Sequence, residues 1–247
     1  MSAVSGLSAS PGPSRFPIDT SCTCTAAPNF SAFRALFRDF TLRVADAARA
    51  QVLCIDYRLA PEHPFPAAVE DATAAYRWLI AHGAKSRHVA FIGDSSGGGL
   101  AIASMMRLRD EGSPLPSAAV LLSPWTDLAL TGQSLAEYSF SDPMVPVELM
   151  PRAVELYLAG ADPRSPYASP LYGDAAGLPP ILIHVGSDEA LRDDALRMAE
   201  HLRAMGCQVE LEVWPRMVHV WHMFARILPE ARAAIAHIGV FLQAKLS

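Results

Sequence analysis

Residues 88 to 108 read HVAFIGDSSGGGLAIASMMRL, and the way this stretch must fold governs how the rest is read. His88 to Gly93 is a short apolar run, Gly97 to Arg109 is small and then apolar at helical spacing, and Gly93-Asp94-Ser95-Ser96-Gly97 joins them. That predicts a strand, a tight corner and a helix. The corner fits G-x-S-x-G, in which a serine sits on a sharp strand-to-helix turn and the flanking glycines let strand and helix pass closely. Ser95 is therefore the candidate nucleophile. Ser96 offers a backbone N–H, at the positive end of the following helix, to an oxyanion formed beside Ser95.

Working outward, the same alternation recurs. Upstream, Ala32 to Arg49 carries a helical stripe of Phe33, Leu36, Phe37, Phe40 and Val44, and Gln51 to Tyr57 reads as a buried strand. Pro61, Pro64 and Pro66 then forbid helix or inner strand, so a fixed loop precedes a helix opened by Pro66 or Ala67 and running to about His82. Downstream come strands at Ala118 to Ser123, Pro180 to Gly186 and Val209 to Trp214, with helices at Leu191 to Met205 and Pro229 to Lys245. This order predicts an α/β domain with a mostly parallel sheet and helical crossovers.

Two segments break the rhythm. Between about 125 and 179 lie a loop with Trp125 and Asp127, an apolar helix around Val147 to Leu158, and a turn-rich piece. An insertion of this length after a sheet strand is expected to form a partial helical cap over the substrate. Residues 1–30, rich in Ser, Pro, Thr and Ala, read by composition as a loose tail, unlike the domain at 31–247.

Composition narrows the function classes. A chain of 247 residues that is 51% hydrophobic can bury one large core, and a net charge of -5 with no basic cluster argues against nucleic acid. Cys22, Cys24, Cys54 and Cys207 show neither a disulfide framework nor zinc-ligand spacing, so reduced cytoplasmic thiols are expected. No apolar run reaches the ~18 residues of a membrane span, and no signal peptide is evident. The expectation is a soluble cytoplasmic protein.

A serine hydroxyl becomes a nucleophile when a histidine takes its proton and a carboxylate fixes that histidine's tautomer. Both partners belong in loops at the carboxyl ends of later strands. Asp188 is the first acid past the strand ending at Gly186 and is the expected triad acid, with Glu189, Asp193 and Asp194 as competitors. His219, five residues past Trp214, is the expected base, with His222 as its rival. The other six histidines, among them His184 and His237, are read as structural. Trp125, Met144, Val145 and Trp221 are candidates to line the pocket.

Taken together, YRLAPEHPFPAA, GDSSGG, SPWTDL, SDEALRDD and VHVWH resemble the bacterial hormone-sensitive-lipase (family IV) esterases over about residues 32 to 241. The resemblance implies an α/β-hydrolase fold with a helical cap. It also implies hydrolysis of small short- to medium-chain carboxylic esters through an acyl-enzyme, without a cofactor or metal. Ser95, Asp188 and His219 match the family triad, and Ser96 the oxyanion donor after the nucleophile. A homodimer is admitted as the assembly. The competing reading from another class is an inactive α/β-hydrolase domain that binds a hydrophobic ligand or partner; a third is an amidase or peptidase on the same triad.

One departure stands out. The family carries His-Gly-Gly-Gly roughly thirty residues before the YRLAPE loop, and its N–H groups complete the oxyanion hole. The corresponding window, Thr20 to Pro28, has no glycine. Decoded from the third base of codon 19, the degenerate triplets permit His-Leu-Leu-Tyr-Leu-His-Gly-Gly, a strand running into the missing motif. The first ~30 residues are therefore expected to be frame-shifted, which the DNA across codons 15 to 31 tests. As written, the chain is expected to lack a first sheet strand and two oxyanion donors, each worth ~10²–10³ in rate.

Overall fold

The protein is described here by a computed structural model covering residues 20–25 and 31–246. Six parallel strands form one sheet in the order β2-β1-β3-β4-β5-β6: β1 Thr20–Thr25, β2 Gln51–Ile55, β3 Val89–Asp94, β4 Ala118–Leu122, β5 Ile181–Gly186 and β6 Val209–Trp214. The long helices are α1 Ser31–Ala48, α2 Ala67–Ala81, α3 Ser96–Asp110, α6 Arg192–Ala204 and α7 Pro229–Leu246, with α4 Gln133–Glu137 and α5 Met150–Leu158 in the stretch between β4 and β5.

Successive side chains along a strand point to opposite faces, so an apolar run feeds two cores. In β3, Phe91 packs with Tyr76 of α2, Met105 of α3 and Met198 of α6. Its neighbours Ala90 and Ile92 pack the other way, with Phe40 and Val44 of α1 and Ile238 and Leu242 of α7. The central strands β3, β4 and β5 are buried throughout, whereas β2 and β6 carry only half-buried and exposed positions because each is an edge. Among the described residues no helix is long and apolar enough to cross a membrane.

The expectation of a missing first strand is corrected. Residues 20–25, TSCTCT, lie between β2 and β3, with Thr20 level with both Gln51 and Val89. β-branched threonines and small cysteines fit a pleated ladder, and the place between two parallel strands would otherwise leave two rows of backbone groups unpaired. Composition could not show this, since Ser and Thr also favour loops. The rest of the 1–30 segment, including Ala26 where the permitted glycine codons fall, lies outside the described residues.

Candidate active site

Ser95 occupies the corner between β3 and α3 with φ 53° and ψ -124°, a conformation that costs a non-glycine residue about 1–3 kcal/mol. Three backbone hydrogen bonds hold it there. Its N–H donates to Leu122 O at 2.9 Å, and its carbonyl accepts from Gly98 N at 3.0 Å and Trp125 N at 2.8 Å. A Cβ on Gly93 would collide with the carbonyl of Gly97, which is why strand and helix can cross so closely only through glycine. Ser96 is the first residue of α3, so its N–H has no intrahelical acceptor and remains available beside the Ser95 side chain.

His219 is buried in the turn after β6, and its Nδ1 lies 3.2 Å from Glu189 Oε1. Glu189 is fully buried, and its other oxygen accepts from Gly186 N at 2.8 Å and Ser123 Oγ at 2.8 Å. Ser123 in turn accepts from Val220 N at 3.1 Å, tying the end of β4 to the residue after His219. Four loops at the carboxyl ends of β3, β4, β5 and β6 thus converge. The elbow and the His219 loop meet at the end of β4, where Ser95 N donates to Leu122 O and Val220 N donates to Ser123 Oγ. With Nδ1 engaged by Glu189, Nε2 is the ring nitrogen that remains. Among the described residues no hydrogen bond joins Ser95 Oγ to that ring, a slack common before substrate tightens such contacts.

The carboxylate at the imidazole is therefore not the expected Asp188. Asp188 is exposed at the tip of the turn after β5 and accepts from the neighbouring hydroxyl of Ser187. The strand's last residue is Gly186, the next two residues make the turn, and the chain re-enters the interior at Glu189, whose longer side chain reaches the ring. A side chain on Gly186 would strike the carbonyl of Met217, so the His219 loop presses directly on this turn.

The remaining competitors have other partners. Asp193 Oδ2 accepts from Gln133 N and Ser134 N at the start of α4. Asp194 accepts from Thr126 N at 2.8 Å and Asp127 N at 2.9 Å. Both acids pin the stretch between β4 and β5 to α6. Burial raises the pKa of Asp194 to about 7, these two N–H bonds opposing it only partly. Asp127 feels burial in the same sense, yet bonds from Thr131, Arg197 and Tyr172 hold it below the usual carboxylate range. His222, the rival base, is fully buried and pairs through Nε2 with His184. Burial first, then the charges of His184 and His219, holds its pKa well below the ordinary histidine value.

Beside Ser96 opens a cavity of about 500 Å³ lined by Leu100, Trp125, Leu128, Tyr57 and Tyr157. Trp125 was expected there. Trp221 is instead fully buried in the α1/α7 core, and Val145 packs against the cluster of Leu135 and Met150. The proline loop and α5 close over the cavity together: Phe65 N donates to Tyr157 O at 2.7 Å, and the two rings meet edge to face. Sequence reasoning missed Ser123 altogether; its one signal is a position at the carboxyl end of β4 with φ 48°.

Against known proteins, the model of a family described as alpha/beta hydrolase fold matches residues 30–223. An acetyl-hydrolase of Streptomyces hygroscopicus is 49% identical over 206 residues, 83% of this chain and 69% of the relative. An esterase of Acinetobacter venetianus is 36% identical over 209 residues, 84% of this chain and 68% of that one. The crystal structure of an esterase from the bacterial hormone-sensitive lipase family superposes with a TM-score of 0.89 at 46% identity, covering 94% of this chain and 78% of its own. Esterase EstE5, in a crystal soaked with p-nitrophenyl butyrate, gives 0.87 at 41% identity, covering 92% and 76%. With the serine elbow, the buried histidine–carboxylate pair and the parallel sheet already in place, the chain belongs to the bacterial hormone-sensitive-lipase esterases of the alpha/beta hydrolase fold.

Proposed function

We propose that Ser95, His219 and Glu189 form the catalytic triad of this carboxylic ester hydrolase. The observation that carries the assignment is Glu189 Oε1 at 3.2 Å from His219 Nδ1, behind a serine held at positive φ. His219 Nε2 takes the Ser95 proton as Oγ attacks the ester carbonyl. Glu189 keeps the second ring proton on Nδ1 and stabilises the imidazolium. The Ser96 N–H and the α3 N-terminus face the oxyanion. His219 then protonates the departing alcohol, and water repeats the cycle on the acyl-enzyme. Asp188, first in line by sequence, has no part in this triad.

The insertion at about 125–179 acts as the cap, because α5 and Trp125 wall the cavity that begins at Ser96. A space of about 500 Å³ suits short- to medium-chain acyl groups, in keeping with the butyrate ester soaked into the related EstE5. The cytoplasmic location stays part of this reading, supported by Cys207, whose thiol donates to Ala175 O and forms no disulfide. Sedimentation of the purified chain decides the homodimer expectation. Turnover of p-nitrophenyl acetate, butyrate and octanoate tests the function. Activity abolished by Ser95→Ala and falling toward octanoate is the expected outcome; equal rates for parent and alanine variant overturn it.

A further inference from the structure

On the sheet face covered by α7, three donor atoms converge. His184 of β5 and Glu212 of β6 are level in the parallel ladder, and His237 of α7 comes down on both. His184 Nε2 lies 3.1 Å from His237 Nδ1 and 3.5 Å from Glu212 Oε2, and His237 Nδ1 lies 3.3 Å from that same oxygen. The three atoms make a nearly equilateral triangle. A tetrahedral zinc with bonds of ~2.0–2.1 Å separates its ligands by ~3.3–3.4 Å, so the triangle matches one face of that polyhedron.

The outer contacts fit the same reading. A ligating histidine usually has its second ring nitrogen fixed by a hydrogen bond, which sets the tautomer. His237 Nε2 lies 3.0 Å from Glu210 Oε1, and His184 Nδ1 lies 3.2 Å from His222 Nε2. Glu212 Oε2 also accepts the Trp214 indole N–H at 2.9 Å. Both histidines are thus held through the ring nitrogen that lies outside the triangle. His184 is fully buried, so it could not be swept aside to make room, whereas His237 and Glu210 border an open surface cavity of about 450 Å³ through which an ion and a water ligand can enter.

We propose that His184 Nε2, His237 Nδ1 and Glu212 Oε2 bind one divalent transition-metal ion of the zinc class, solvent supplying the fourth ligand. Two imidazoles and one carboxylate suit Zn²⁺ better than the all-oxygen preference of Mg²⁺ or Ca²⁺. The ion clips edge strand β6 to β5 and α7. Through His222 it also braces the turn from His219 to His222, which makes it a structural rather than a reacting metal.

Calorimetric titration of the whole chain with Zn²⁺, alongside thermal unfolding with and without the ion, tests this. Saturable one-to-one binding and a zinc-dependent rise in Tm are expected. His237→Ala and the isosteric Glu212→Gln abolish both, Glu210→Gln weakens binding by about 10–100-fold, and His82→Ala, on the exposed end of α2, changes nothing. Co²⁺ in place of zinc should show the visible absorption of a four-coordinate centre, lost in His237→Ala. Absence of saturable binding overturns the proposal, as does binding that survives both His237→Ala and Glu212→Gln. A variant that fails to fold leaves the decision to Glu210→Gln, where undiminished affinity overturns it.

Discussion

Two buried histidines, His219 and His184, each sit near carboxylates in the same half of the sheet, and they are built for different chemistry. His219 lies in a loop beyond the strand ends, and one nitrogen is fixed by Glu189. His184 lies within β5, and both of its nitrogens face other donors: His222 on one side, His237 and Glu212 on the other. The first arrangement engages one ring nitrogen. The second engages both. A histidine's role is thus set by what meets its second nitrogen, and that depends on whether the residue lies past the end of a strand or along it.

The largest effect that would break the comparison is at the carboxylate behind His219. Glu189→Ala is expected to lower kcat by on the order of 10³–10⁴-fold, while Asp188→Ala stays within about threefold of the parent. Steady-state kinetics on p-nitrophenyl butyrate would settle it, and the reverse order of the two variants would reinstate Asp188. Ser123→Ala removes one hydrogen bond from Glu189 and leaves the ring contact in place. A three- to tenfold fall in kcat with KM unchanged is expected, about the worth of one hydrogen bond of ~1 kcal/mol.

A smaller effect concerns the pH profile of stability. Burial lifts the Asp94 carboxyl to about 7, the His219 charge offsetting this only in part, and one of its oxygens has no partner among the described residues. The folded state therefore holds this proton more tightly than the unfolded chain, whose carboxylates titrate near ~4. Its contribution to stability is fully present below ~4 and is lost as pH rises through about 7. Asn at 94 keeps the shape and never ionises. Urea unfolding should show the advantage of Asp94→Asn over the parent growing by on the order of 1–3 kcal/mol between about pH 5 and pH 8. An advantage that does not change with pH would mean that Asp94 titrates normally.

The α/β order and the elbow were legible because each rests on local rules. Strands such as VAFIG are continuous apolar runs, helix stripes repeat every three to four residues, and a serine between glycines admits few backbones. Legibility failed where the deciding contact is a matter of one residue's direction. Asp188 and Glu189 are adjacent acids of similar chemistry, and only the turn after Gly186 sends the first to solvent and the second inward. It failed again at TSCTCT, whose threonines and serine suit a loop as well as a strand, and whose place is set by the backbone groups of β2 and β3 on either side.

What the amino-acid sequence determined by itself was the parallel α/β architecture and the tight strand-to-helix corner at Ser95, because periodicity and backbone sterics act over a few residues at a time. The tertiary structure alone decided that Glu189 rather than Asp188 meets His219 and that His184, Glu212 and His237, with no recognisable ligand spacing, meet at one point. Those outcomes depend on strand register and on where a distant helix lands, and elements far apart in the chain meet only once the sheet has been assembled.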